Sequence, residues 1–144
     1  MSTRRIVTAQ RDGDSRIVSA GPSPHVVEPA PGFVITDQWV CPKVGPGLLT
    51  AEDHGEFGFM VVPPPGGVLF RLVTFPPDPV GQLHRTDTID FVTVLSGELV
   101  LTLDGGDEVT LTAGDTVVQQ GALHAWRNLT GEPAVASVVI VSAA

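Results

Sequence analysis

Positive charge is scarce in this sequence. Eight Lys and Arg residues, with Lys43 the only lysine, stand against 16 Asp and Glu, for a net charge of -8. A surface that tracks a nucleic-acid backbone needs clustered cations, and so does docking on an anionic bilayer; both partners are excluded as expectations. Tyrosine is absent, and with one lysine the composition argues against a helix bundle. A single cysteine, Cys41, excludes an intrachain disulfide framework. It is expected as a small buried or half-buried side chain, compatible with a reducing compartment. Long apolar runs are also missing. The longest uncharged apolar stretch, Pro133 to Ala144, has 12 residues and is too short to span a bilayer. Arg4-Arg5 is followed within a few residues by Gln10, Arg11 and Asp12, so no signal-peptide apolar region develops. These absences predict a cytoplasmic protein that is soluble.

What is present is apolar content and turn residues. Apolar residues make up 42% of the chain and the mean hydropathy is +0.24, which excludes a disordered chain. There are 16 glycines and 13 prolines, and all prolines except Pro133 fall between Pro22 and Pro79. Residues 1–66 are therefore short apolar pieces broken by Pro/Gly clusters, whereas 67–144 is nearly continuous β pattern. The first segment lacks the periodicity to bury a core alone. It is expected to wrap the second within one domain. Period-2 alternation with β-branched enrichment predicts strands at Val68–Phe75, Phe91–Leu95, Glu98–Leu103, Glu108–Thr112, Thr116–Gln119, His124–Leu129 and Ala134–Val141. Weaker strands are predicted at Arg4–Ala9, Arg16–Ser19 and Phe33–Val40. No window has a helical period. The fold class is all-β, a sandwich or barrel.

Two segments carry the chemistry. One runs from Gly81 through His84, Thr86 and Asp90 to Gly97; the other from Gly114-Asp115 through Gly121, His124 and Trp126 to Asn128. Their spacing resembles the two motifs of the cupin superfamily. Asp90 and Gly97 keep the spacing of the first motif, and Gly121, His124 and Asn128 keep that of the second. The resemblance covers residues 68–141. It implies a jelly-roll antiparallel β-barrel with additional N-terminal strands and loops, and a metal held inside by three His and one Glu. The sequence departs from that pattern. His84 stands at the first His position, Thr86 at the second, Asp90 in place of Glu, and Gln near 119–120 in place of Pro.

Two imidazoles and a carboxylate suffice to hold one divalent Fe, Mn, Ni or Zn ion, so His84, Asp90 and His124 are the candidate ligands. The alternative is a barrel without a metal, in which His84 or His124 is a general acid or base and Asp90 orients it. Both alternatives make these three the candidate catalytic residues. Thr86 is a poor metal ligand and is expected to hold a water or substrate oxygen. Alternation places Trp126 and Asn128 on the face of His124, and Val92 and Val94 on the face of Asp90, with Arg127 pointing outward. Trp126 is thereby a substrate-binding candidate, whereas Asn128 is expected to fix a strand end. Arg71 either faces solvent or points inward to clamp a substrate carboxylate or enolate. Residues 71–144 hold only Arg71, Arg85 and Arg127 as cations, so any anion-binding role falls on these three. His25 and His54 have no partner pattern and are expected at the surface or in a lid.

Three functions remain open. The first is a small-molecule enzyme catalysing a lyase- or isomerase-type step, such as dehydration, decarboxylation or tautomerisation. The second is a non-heme metal-dependent dioxygenase, a partial match because six positions separate His84 from Asp90. The third is a non-catalytic small-molecule-binding protein. The resemblance also implies a homodimer paired through a sheet edge, and the apolar C-terminal strand is expected to need covering.

Overall fold

The computed structural model describes residues 2–53 and 58–144, and His54 lies outside the described residues. Among these residues there is no helix. The strands, in chain order, are β1 (Arg5–Arg11), β2 (Asp14–Gly21), β3 (His25–Ala30), β4 (Phe33–Cys41), β5 (Val68–Phe75), β6 (Thr88–Ser96), β7 (Glu98–Leu103), β8 (Glu108–Thr112), β9 (Thr116–Gln120), β10 (His124–Arg127) and β11 (Ala134–Ser142). A six-stranded antiparallel sheet in the order β3-β4-β5-β11-β6-β9 faces a three-stranded sheet in the order β10-β7-β8. The hairpin β1-β2 stands apart as a third sheet.

The core lies between the two facing sheets. Leu69, Val73, Val92, Val94, Ala136, Val138 and Ile140 come from the large sheet, and Leu99, Leu101 and Leu111 from the small one. Most alternate with less buried neighbours, which is the source of the period-2 pattern, although Val100 and Val135 are buried as well. Complete burial of a side chain such as Leu69 or Leu99 contributes about 1.5–3 kcal/mol. The apolar C-terminal strand, β11, lies inside the large sheet between β5 and β6. Its backbone is covered within the chain, and it presents no edge.

β3 is the strand that alternation did not predict. It contains Pro29 and Glu28 and is defined only by pairing with β4. At the edge of the sheet the missing N–H of a proline is tolerated. Residues 1–66 therefore add β3 and β4 to the main sheet as well as supplying loops. The β1-β2 turn is Asp12-Gly13, with both residues at positive φ, +53° and +84°, as a tight two-residue hairpin requires. Arg5 ties this hairpin down. Its guanidinium makes two 2.6 Å bonds to Asp53, donates from Nε to the Gln38 carbonyl at 2.5 Å, and lies over Trp39. Between β6 and β7 the chain turns on Gly97, at φ +76°. A Cβ there would come within 2.8 Å of the Ala134 Cα.

Candidate functional site

The two sequence segments meet through their histidines. His84 and His124 form an isolated antiparallel bridge, each backbone N–H donating to the other's carbonyl at 2.9 Å. Their rings lie 4.3 Å apart between centroids, inclined at 54°. Each ring is held by the same local device. The Nδ1 of His84 bonds the Gln82 carbonyl at 2.8 Å, and that of His124 bonds the Ala122 carbonyl at 2.7 Å. A carbonyl only accepts, so each Nδ1 carries a proton, and in the neutral ring the lone pair is on Nε2. Among the described residues neither Nε2 has a hydrogen-bond partner. His84 is exposed and His124 is buried, so the pair runs from solvent into the barrel.

A chain of hydroxyls leads to the carboxyl. Thr88 Oγ1 donates to Asp90 Oδ1 at 2.8 Å, and Thr86 Oγ1 lies 2.7 Å from Thr88 Oγ1. Thr88 has one hydroxyl proton, given to Asp90, so Thr86 is the donor to Thr88. Thr86 thus orders this chain and is not among the metal-binding groups. Burial pushes the Asp90 carboxyl above its ordinary value. The Thr88 bond and the positive fields of His124, His84 and Arg71 oppose that shift. Burial also lowers His124, further aided by His84 and opposed by the Ala122 carbonyl and by Asp90. Asp90 and His124 are therefore brought toward one another in proton affinity.

Arg71 is on the inner face, 5% exposed, which removes the solvent-facing alternative. It is already engaged. Nε donates to Asp37 at 2.8 Å, Nη2 to the Met60 carbonyl at 2.7 Å and Nη1 to the Val61 carbonyl at 3.4 Å. Arg85 pairs with Asp87 at 3.6 Å, and Arg127 points outward to Glu108. Each of the three arginines expected to serve an anion thus has a carboxylate partner. Trp126 packs edge-on to His124 at 5.9 Å and lies 6.2 Å from Phe75, forming a wall of the site. Asn128 is 1% exposed and fully bonded: Nδ2 donates to the carbonyls of Phe75 and Glu132, and Oδ1 accepts from Thr130. It fixes the end of β10. His25 opens β3 and is half-buried, and Cys41 ends β4, also half-buried.

The donor set can be tested against the metal that the resemblance implies. Among the described residues no three His, Cys, Asp or Glu side chains lie close enough to share an ion. His84 and His124 come together, and Asp90 lies within their electrostatic field, but the trio His84, Asp90 and His124 does not close into a metal cluster. Two further residues of the interior escaped the sequence reading. Asp37 is the ion-pair partner of Arg71, 34 positions away in sequence. Gln119 is the cross-strand partner of Asp90 and is 5% exposed. Its signal was available: Gln119 shares its face of β9 with Val117, which packs on the core.

A groove of about 930 Å³ lies elsewhere, between the β1-β2 hairpin, residues 48–52 and the outer face of β4 and β5. It is separate from the histidine pair.

Comparison with known proteins agrees with the geometry. Residues 71–141 match the Cupin domain family profile. Phomopsin biosynthesis cluster protein D of Diaporthe leptostromiformis is 43% identical over 74 residues, covering 49% of this chain and 39% of that protein. A cupin-domain-containing oxidoreductase of Hypocrea virens is 35% identical over 65 residues, covering 45% and 34% of the two chains. The matched stretch thus spans little more than a third of the length of these relatives. The solved structure of KdgF from Halomonas superimposes with a TM-score of 0.55 at 16% identity, over 81% of this chain and 84% of that one. That likeness shows the shared barrel fold.

Proposed function

The chain belongs to the cupin superfamily through residues 71–141, and on that basis we propose that it is a small-molecule enzyme working inside the barrel by a lyase- or isomerase-type proton transfer. The observation that carries this reading is the His84–His124 pair with both Nε2 atoms available, beside an Asp90 of raised proton affinity. His124, kept neutral by burial, takes a proton from a carbon next to a substrate carbonyl. Asp90 then gives up its proton, either to the enolate, which completes a tautomerisation, or to a β-hydroxyl that leaves as water, which completes a dehydration. Solvent reloads Asp90 through the Thr86–Thr88 hydroxyls, and His124 gives its proton back to water on the side of the exposed His84. Trp126 limits water at His124. Positioned groups of this kind contribute roughly 10²–10⁴-fold each. The described residues supply no three-ligand metal set, so no step is routed through an ion.

Proton NMR in deuterium oxide tests the reading directly. The wild type should exchange the α-protons of small ketones, and His124→Gln should lose about 100-fold or more of that rate. Binding without exchange in the wild type would instead make the protein a non-catalytic ligand binder.

A second reading is favoured by the names of relatives, several of which are cupin-domain-containing oxidoreductases. It needs a redox-active divalent ion, Fe, Mn or Ni, since Zn has no redox chemistry. Elemental analysis separates the two. Proton transfer by side chains alone predicts well under about one equivalent of metal. One equivalent that disappears in His124→Ala, with oxygen uptake on adding substrate, moves the assignment to the oxidoreductase.

A further inference from the structure

The sequence of β9, Thr-Val-Val-Gln-Gln, alternates in exposure: Thr116, Val118 and Gln120 face out, Val117 and Gln119 face in. Gln119 consequently places a primary amide in the barrel, opposite Asp90 in the β6-β9 register. Among the described residues its Nε2 is the one buried side-chain N or O atom without a hydrogen-bond partner. Buried amides are almost always paired, because an orphaned donor has lost water and gained nothing. Asp90 does not satisfy it, and the donor remains unused on the inner face beside the proposed acid.

The charges define what it can receive. An anionic ligand inside the barrel needs a cation with capacity to spare there, yet Arg71 is bonded to Asp37, Arg127 points outward to Glu108, and Arg85 is exposed at the surface near Asp87. Asp90, with or without its proton, adds no positive charge at the same spot. A neutral oxygen acceptor suits this environment, and a phosphate or carboxylate does not. We propose that Gln119 binds the substrate through an Nε2–H bond to a carbonyl oxygen, and that the substrate class is an uncharged carbonyl compound. This rests on the proton-transfer reading only for the fate of that oxygen. There the same N–H holds the oxygen that becomes an enolate when the α-carbon gives its proton to His124, and that is neutralised when a proton returns from Asp90. Gln119 is then both a specificity residue and a donor to the developing charge.

The test uses cyclohexanone and acetophenone as neutral probes and cyclohexanecarboxylate as the anionic control. In a nitrogen–proton correlation spectrum of the full chain, the Gln119 side-chain amide should shift with either ketone and stay in place with the carboxylate. Gln119→Met keeps the volume and removes the amide. Its ketone affinity should fall about tenfold or more, while its melting temperature stays level or rises because an orphaned group is gone. Unchanged ketone affinity in Gln119→Met, preference of the wild type for the carboxylate, or failure of the wild type to bind either ketone overturns the proposal. A lowered melting temperature with protected Gln119 amide protons in the free protein also overturns it, since the amide would then serve the fold. The two readings fail separately. Binding that shifts Gln119 without α-proton exchange retains this inference and ends proton transfer. Exchange that survives Gln119→Met with full affinity does the reverse.

Discussion

Asp90 is a carboxyl that the fold holds against its own stability. Burial raises its proton affinity, so the native state favours the protonated form relative to the unfolded chain, whose reference value is 3.8. The native state is therefore penalised as pH rises from 3.8 through the folded-state value, and the penalty is complete above that value. Asp90→Asn keeps an oxygen to accept from Thr88 and carries no charge. It should melt higher than the wild type at pH 7, and the advantage should shrink as pH approaches 4. Thermal unfolding at both pH values checks this, and an advantage of equal size at both would refute the burial argument. The same variant should lose proton exchange, the usual exchange of stability for function at a site. His124 works in the opposite sense. Its lowered affinity contributes stability that is present above 6.5 and lost as pH falls through the folded-state value. The sequence showed His84, Asp90 and His124 because their spacing to Gly97 and Asn128 is kept. It did not show Gln119 as a binding group, because a glutamine in place of a proline reads first as a lost motif position. Alternation with Val117 marks it as inward-facing, and its register opposite Asp90 and its orphaned Nε2 mark it as a binding group.

At the scale of elements, the β4-β5 pair carries a buried ion pair that local sequence could not reveal. Arg71 and Asp37 are Cα partners, with side chains 5% and 4% exposed. The β4 register shifts between Asp37 and Trp39, which buries both Asp37 and Gln38 and breaks the alternation that predicted the strand. Orientation of Arg71 was therefore legible only with its partner in hand. Removing one member leaves the other charged and unpaired. Asp37→Leu or Arg71→Met alone should cost about 3–5 kcal/mol. The double variant, Asp37→Leu with Arg71→Met, should recover most of that loss. A double-mutant cycle by urea unfolding measures it; additive losses would mean that the pair has no coupling. The β6-β7 corner gives a sharper case. Gly97 has φ +76° and a Cβ would meet Ala134 and the Pro133 carbonyl within 2.9 Å. Gly97→Ala should lose about 1–2 kcal/mol from backbone conformation alone, with the clash adding to it. Gly131→Ala, where a Cβ meets open space, is the control. Equal melting temperatures for the two variants would rule out a packed corner. Here the sequence was sufficient, since a glycine between two strands announces such a turn.

The whole molecule leaves one surface to be explained. On the outer face of the large sheet the register aligns Trp39, Phe70, Val139, Phe91 and Val118 in a row. The β1-β2 hairpin faces the Trp39 and Phe70 end across the 930 Å³ groove, with Phe70 still 40% exposed. At the other end Phe91 is 45% and Val118 58% exposed. Covering the C-terminal strand gives no ground for the expected homodimer, because β11 is central and its backbone is paired within the chain. The open end of the apolar row is the better reason for a dimer, because contiguous apolar patches on soluble chains commonly mark association surfaces. Light scattering on a sizing column should give twice the chain mass of 15.1 kDa. Phe91→Asp with Val118→Asp places charge in the row without touching the inner face, so the pair should yield a folded monomer with an unchanged β spectrum and unchanged ketone binding. A wild type that elutes at single-chain mass, or a charged pair that remains dimeric, removes this face as the interface. Loss of ketone binding together with the dimer would instead couple the outer face to the barrel interior. The contact available for that coupling is β6 itself, which carries Phe91 on one side and Asp90 on the other.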